Sequence, residues 1–233
     1  MPAEFTRYRT KRTARALNAR PRLGMSGNSV AIFYLLSASL LPFAASAEVI
    51  CALGSDASSY DAKADQRPSP DAMQLAGRMN AALSPTCSPK CPQIAIYRNA
   101  TAPNAMLVVT ADQAKFVYAP RFFTAVYDKY GDGAIVAIIA HEYGHALAEI
   151  LPTSWMKSDW TEELRADAWA GCALAKTDLS SNDLAEALTA VSKYPPPADS
   201  NWSLREPALR LGFLHCGGDG SRFDSGAGGG KRK

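Results

Sequence analysis

From Ala134 to Leu151 the chain is apolar on nearly every side of a helical wheel. Ala-Ile-Val-Ala-Ile-Ile-Ala leads into a brief polar interruption, and Pro152 stops the run. A helix that is apolar all round belongs inside a core, so this segment is expected to be central and buried. Asp132, in Gly131-Asp132-Gly133, can cap its first turn. Weaker patterns surround it. Asp71–Leu83 has helical spacing, with Pro70 before it and Ser84-Pro85 to end it. Gln93–Tyr97, Ala105–Thr110 and Lys115–Ala119 are short runs of strand character, broken by turn residues. Arg121–Tyr130 predicts a short helix, and Trp160–Lys176, Asn182–Lys193 and Leu204–Leu214 predict three more. Asp159 with Glu162 three residues on fits a capping box for the first of these three. Residues 52–70 are small and polar and predict a surface segment. Residues 217–233 are Gly-rich, end in Lys-Arg-Lys, and predict a disordered tail. The fold class is α+β, with helices packed on a small sheet.

Composition changes this picture at the N-terminus. The 233 residues are 47% hydrophobic and 20% charged, an ordinary globular balance. Residues 1–47 hold seven of the 25 basic residues and one of the 22 acidic ones, so the remainder is net acidic. The basic excess belongs to the leader, and nothing suggests nucleic-acid binding by the folded part. Within the leader a basic stretch precedes the apolar run Val30–Leu41 and then Ala45-Ser46-Ala47, the pattern of a cleaved signal peptide over residues 1–47. The run is short of the roughly 20 residues that span a bilayer. The expected protein is therefore periplasmic or secreted, with no stable membrane span after cleavage. Residues 48–216 are the expected single domain. Met1 and Met25 are both possible starts.

All five cysteines follow the cleavage point. In an oxidising compartment they suggest disulfides. Cys87 and Cys91 can close a small loop, and Cys172 and Cys216 are natural partners between two late helices. Cys51 is then left over.

The polar interruption of the central helix is His141-Glu142-Tyr143-Gly144-His145. Residues four apart share a helix face, so both imidazoles can reach one ion. Glu142 lies beside that ion, where it can take a proton from bound water. The chain has only three histidines, and two are here. Two core histidines without a ligand are the competing reading. It requires three polar side chains in an apolar helix, each unpaired group costing roughly 1–3 kcal/mol.

A hydrolytic zinc site needs a third protein ligand. Glu149 is two turns beyond His141, about 12 Å along the axis, too far to share the ion. Glu163, near the start of the next helix, is the better candidate, with Glu162 as the fallback. Asp167 sits one turn after Glu163 on the same face, placed to accept the remaining N–H of a metal histidine. Gly144 inside a helix costs about 1 kcal/mol relative to alanine, and its bare face would let the Glu163 helix approach.

His-Glu-x-x-His followed by Glu-Glu-Leu-Arg-Ala-Asp-Ala-Trp-Ala-Gly resembles the gluzincin peptidases. It resembles most the soluble relatives of the CAAX prenyl protease family and the neutral zinc metallopeptidases, which carry Glu-x-x-Ala-Asp-x-x-Ala-Gly here. The likeness covers about residues 93–213. Asn104-Ala105 resembles the start of their edge strand, and Lys115–Tyr118 the strand before their zinc helix. Arg205, eight residues before Phe213, resembles the arginine of their C-terminal helix. Where the relatives often carry His-Pro-Pro, this chain has Tyr194-Pro195-Pro196. The Gly and His of the metzincin pattern are replaced by Ala148 and Leu151. The resemblance implies a zincin-like fold, a Zn2+ held by His141, His145 and Glu163, Glu142 as general base, and Asp167 behind the ligands. Arg205, Tyr194 and His215 are open candidates for oxyanion stabilisation. A protein or peptide substrate would add as a strand to an edge at Ala105–Val108. The rival reading is a non-catalytic or chaperone-like peptide-binding domain on the same fold.

Overall fold

The computed structural model describes residues 48–52, 57–89, 91–92, 94–109, 114–194 and 201–227. Along the chain these form β1 (Glu48–Ala52), α1 (Pro70–Cys87), β2 (Ile94–Arg98), β3 (Ala105–Val109), β4 (Ala114–Tyr118) and α2 (Pro120–Ile150). Then follow α3 (Glu162–Lys176), α4 (Ser181–Lys193), α5 (Trp202–His215) and α6 (Gly220–Ala227). The architecture is α+β and mostly helical, as the sequence pattern implies. The expected signal segment 1–47 and the prolines 195–197 lie outside the described residues. No helix among the described residues is long and apolar enough to cross a membrane.

The central apolar run becomes the second part of α2. Gly131 breaks the helix with φ of 75°, a left-handed value that glycine reaches without a Cβ penalty. The break falls where Gly131-Asp132-Gly133 suggests it. From Gly133 to Leu147 every residue is buried. The helix ends at Leu151, which is extended, as a residue before proline prefers. The sheet packs on this helix through Phe116, whose ring meets Tyr143 edge-on at 6.4 Å. Phe123, near the start of α2, stacks on Tyr118 at 4.3 Å.

The sheet runs in the order β1-β3-β4-β2. β2 and β4 are parallel, and β3 is antiparallel to β4. β1 pairs antiparallel with β3, from Glu48 opposite Val109 to Ala52 opposite Met106. This corrects the expectation of an open edge at Ala105–Val108. That strand is interior to the sheet, because residues 48–52, too short a run to stand out after the leader, lie along it.

Other boundaries also move. α1 continues through Pro85 to Cys87, because a proline in the last turn removes only one N–H that the turn would use. α3 is capped by Thr161, whose hydroxyl accepts from Leu164 N at 3.3 Å, not by Asp159. Trp160 is buried, so the chain is drawn into the core before the helix starts. α4 carries a capping box of its own, built by Ser180 and Asp183.

The predicted disordered tail is corrected as well. Gly220–Ala227 is helical, Phe223 is fully buried and packs on Phe213 at 5.5 Å, and Arg210 pairs with Asp224 at 3.0 Å. The folded unit therefore extends past residue 216. One large aromatic among glycines is enough to seat the helix, and composition hides it.

Candidate metal centre

α2 and α3 meet where Gly144 faces Ala166. A Cβ on Gly144 would collide with the Ala166 carbonyl, so the bare face of this residue sets how close the two backbones lie. That approach brings side chains of the two helices together. Glu163 Oε2 is 3.2 Å from His141 Nε2 and 3.4 Å from His145 Nε2. All three donor atoms lie within 4.8 Å of one another. Four-coordinate bonds of about 2.0–2.1 Å place neighbouring donors about 3.4 Å apart. The two Glu163–imidazole distances match that edge length, and two imidazoles with a carboxylate are a donor set for a divalent ion. The cluster could therefore hold a metal ion.

The structure distinguishes the two glutamates at the start of α3. Glu163 joins the histidines and Glu162 is exposed at the helix surface. Glu149 is exposed too. Glu142 is fully buried in the turn that carries both histidines.

Behind the cluster, Asp167 is fully buried, and its Oδ1 lies 2.9 Å from His141 Nδ1. The same carboxylate accepts two bonds from Arg205, Nε to Oδ2 and Nη2 to Oδ1, both at 2.8 Å. A carboxylate in that position is ionised and accepts only, so His141 Nδ1 carries the proton. Nε2 is then the nitrogen turned to Glu163, 3.2 Å away, and the one that a metal ion would take in exchange for a proton. Asp167 lies one turn after Glu163 on α3, on the side of His141 away from Glu163.

The charges are mutually adjusted. Burial works against a charged His141, but hydrogen bonds to Asp167 and Glu163 outweigh it, and the protein groups alone raise this imidazole to about 9. Burial would raise the Glu163 carboxyl, yet the hydrogen bonds from His141 and His145 hold it well below the usual carboxylate range. Asp167 is lowered as well, its burial outweighed by His141 and Arg205.

The other expected site residues lie elsewhere. Arg205 is fully buried with its guanidinium turned to Asp167 and to the Val191 carbonyl, so it is not a contact for substrate or oxyanion. Its distance along the chain from Asp167 hid this partnership. Tyr194 packs edge-on against Phe122 and Tyr130, in the part of α2 before the break. His215 is exposed at the end of α5 and stacks on Trp155 at 4.2 Å. Asn104 accepts from Ala119 N through its carbonyl at 2.6 Å, joining β3 to the end of β4. Ala105 is fully buried.

Two cavities lie away from the cluster. One of about 550 Å³ runs between α1 and the start of α2, lined by Arg78, Arg98, Tyr118 and Tyr127 among others. The second, about 260 Å³, lies beside Tyr143 and Cys87. Both expected disulfides are formed. Cys87–Cys91 has its Cα atoms 4.7 Å apart, and Cys172–Cys216 has them 5.0 Å apart. The side chain of Cys51 lies outside the described residues.

Comparison of the chain with protein-family models, with curated proteins and with solved structures gives no match.

Proposed function

We propose that this protein is a zinc-dependent metallopeptidase of the gluzincin type, acting on a protein or peptide in the cell envelope or outside the cell. The observation that carries this reading is the convergence of donor atoms from His141, His145 and Glu163 within 4.8 Å of one another, with Glu163 Oε2 3.2 and 3.4 Å from the two imidazoles. A zinc ion bound there would supply Lewis acidity towards water and a peptide carbonyl. The remaining work falls to the chain itself. Glu142, next to His141 and shielded from solvent, is the general base that takes the proton from the attacking water. It then returns that proton to the leaving amine. Asp167 keeps His141 in the tautomer with its lone pair on Nε2. The two disulfides fit an oxidising compartment and support the export reading. An extended substrate is not laid on β3 while β1 occupies that position.

A non-catalytic peptide-binding domain is the reading to beat. The test is metal analysis of the purified wild type and Glu142→Gln, with a general peptidase assay with and without a chelator. The expected result is about one zinc in both proteins, chelator-sensitive hydrolysis in the wild type, and a loss of roughly 10²–10⁴-fold in Glu142→Gln. Zinc without chelator-sensitive hydrolysis would assign the binding domain instead.

A further inference from the structure

Arg205 is among the largest side chains with no exposure to solvent. It comes from α5, 38 residues after Asp167, and three of its nitrogens have defined partners. Nε and Nη2 grip the two oxygens of Asp167, and Nη1 donates to the Val191 carbonyl at 2.8 Å. That carbonyl lies in the last turn of α4. The last four carbonyls of a helix have no intrahelical partner, and Arg205 supplies one for this carbonyl.

A carboxylate attached to a helix is free to turn about its last torsion, which is broad and roughly two-fold. The planar guanidinium removes that freedom at Asp167, because a two-pronged grip fixes the carboxylate plane as well as its position. Oδ1 is then aimed at His141 Nδ1, and the far nitrogen of the same ring is aimed at Glu163. The arginine is itself held in register. α5 lies so close to α3 that a Cβ on Gly171 would meet the Leu209 carbonyl, and one on Gly212 the Ala168 carbonyl. Cys172–Cys216 ties the same two helices.

We propose that Arg205 is a positioning residue of the metal centre: it orients Asp167, and through Asp167 the ring of His141, without touching metal or substrate. This rests on His141, His145 and Glu163 being the metal ligands, and it makes the C-terminal helix a working part of the site.

The experiment uses the full chain. Zinc affinity is measured by chelator competition for wild type, Arg205→Lys, Arg205→Gln, Asp167→Asn and the Arg205→Gln/Asp167→Asn double variant, each also melted to report stability. Lysine keeps the charge but loses the fork. The expected result is a loss of about 10–100-fold in affinity for each Arg205 variant, with the double variant no weaker than Asp167→Asn alone. Affinity within twofold of wild type in Arg205→Lys overturns the proposal. So does a loss that adds in full to that of Asp167→Asn, or an Arg205→Lys chain that does not fold, since each marks a scaffold role. A second readout stands apart from the metal reading. In chelator-treated protein, the Nδ1–H proton of His141 in NMR should be protected in wild type and moved or broadened in Arg205→Lys. Should the wild type bind no zinc, the ligand assignment fails, and this signal alone decides for or against Arg205.

Discussion

The two sides of α2 are built on different principles. Towards the sheet it presents Tyr143, whose ring meets Phe116 in a cluster that includes Tyr118 and Phe123, with centroids 4.3 to 6.4 Å apart at assorted angles. A cavity of about 260 Å³ remains beside it. Towards α3 it presents His141, Gly144 and His145, where backbone meets backbone and polar atoms sit 2.9 to 3.4 Å apart. Apolar burial is non-directional and scales with area, so the sheet side can accept small changes of shape. Hydrogen bonds and metal ligation weaken steeply with distance and angle, so the α3 side cannot. One helix thus carries a forgiving face and an exacting one.

The sharpest test of this contrast is on the exacting face. His141→Ala, His145→Ala and Glu163→Ala should each abolish bound metal, measured by elemental analysis, whereas Glu162→Ala should retain it. Metal lost with Glu162→Ala and kept with Glu163→Ala would transfer the ligand role to the outer glutamate.

Next in size is Gly144→Ala. Alanine is the better helix former by about 1 kcal/mol, yet its methyl would meet the Ala166 carbonyl. Overpacking of this kind typically costs about 1–3 kcal/mol. Because it pushes α3 away, metal affinity should fall along with the urea midpoint. A stabilised Gly144→Ala protein would show that the close approach is dispensable.

The forgiving face should respond weakly. Ile139→Val, at a fully buried position, should cost about 0.5–1.5 kcal/mol and leave metal binding unchanged. Smallest of all is Tyr143→Phe, although Tyr143 stands inside the His-Glu-x-x-His motif. Its hydroxyl is buried with no hydrogen-bond partner among the described residues, so its removal should be neutral or slightly stabilising, with metal content unaltered. A loss above about 1 kcal/mol in urea titrations would show instead that the neighbouring cavity holds water bound to that hydroxyl.

The exacting face was also the more legible one in the sequence. The four-residue spacing of His141 and His145, and of Glu163 and Asp167, follows from helix periodicity alone, and Gly144 marked the approach of the second helix. The two disulfides were readable from the cysteine positions. What escaped was non-local or carried by very few residues. β1 is five residues long and owes its strand state to the β3 ladder. α6 depends on Phe223 finding Phe213. Arg205 reads as a group for substrate because nothing within its own helix shows that its partners are Asp167 and the Val191 carbonyl at the end of α4. The cap of α3 lies at Thr161, two residues beyond Asp159, because Trp160 is anchored in the core, a tertiary effect that local pattern does not report.

His141 and His145 lie on α2, Glu163 and Asp167 on α3, and only the stretch 151–161 separates the two helices. The whole candidate donor set therefore belongs to one helical hairpin of neighbouring segments. Closing so short a connection costs little chain entropy, and contacts between sequence neighbours form early in folding. The β1–β3 ladder and the Cys172–Cys216 link span far longer stretches of chain. The hairpin can thus gather its donors before the sheet is closed or α5 has docked. An ion captured at that stage would act as a folding nucleus, with Arg205 arriving last to lock a centre already assembled.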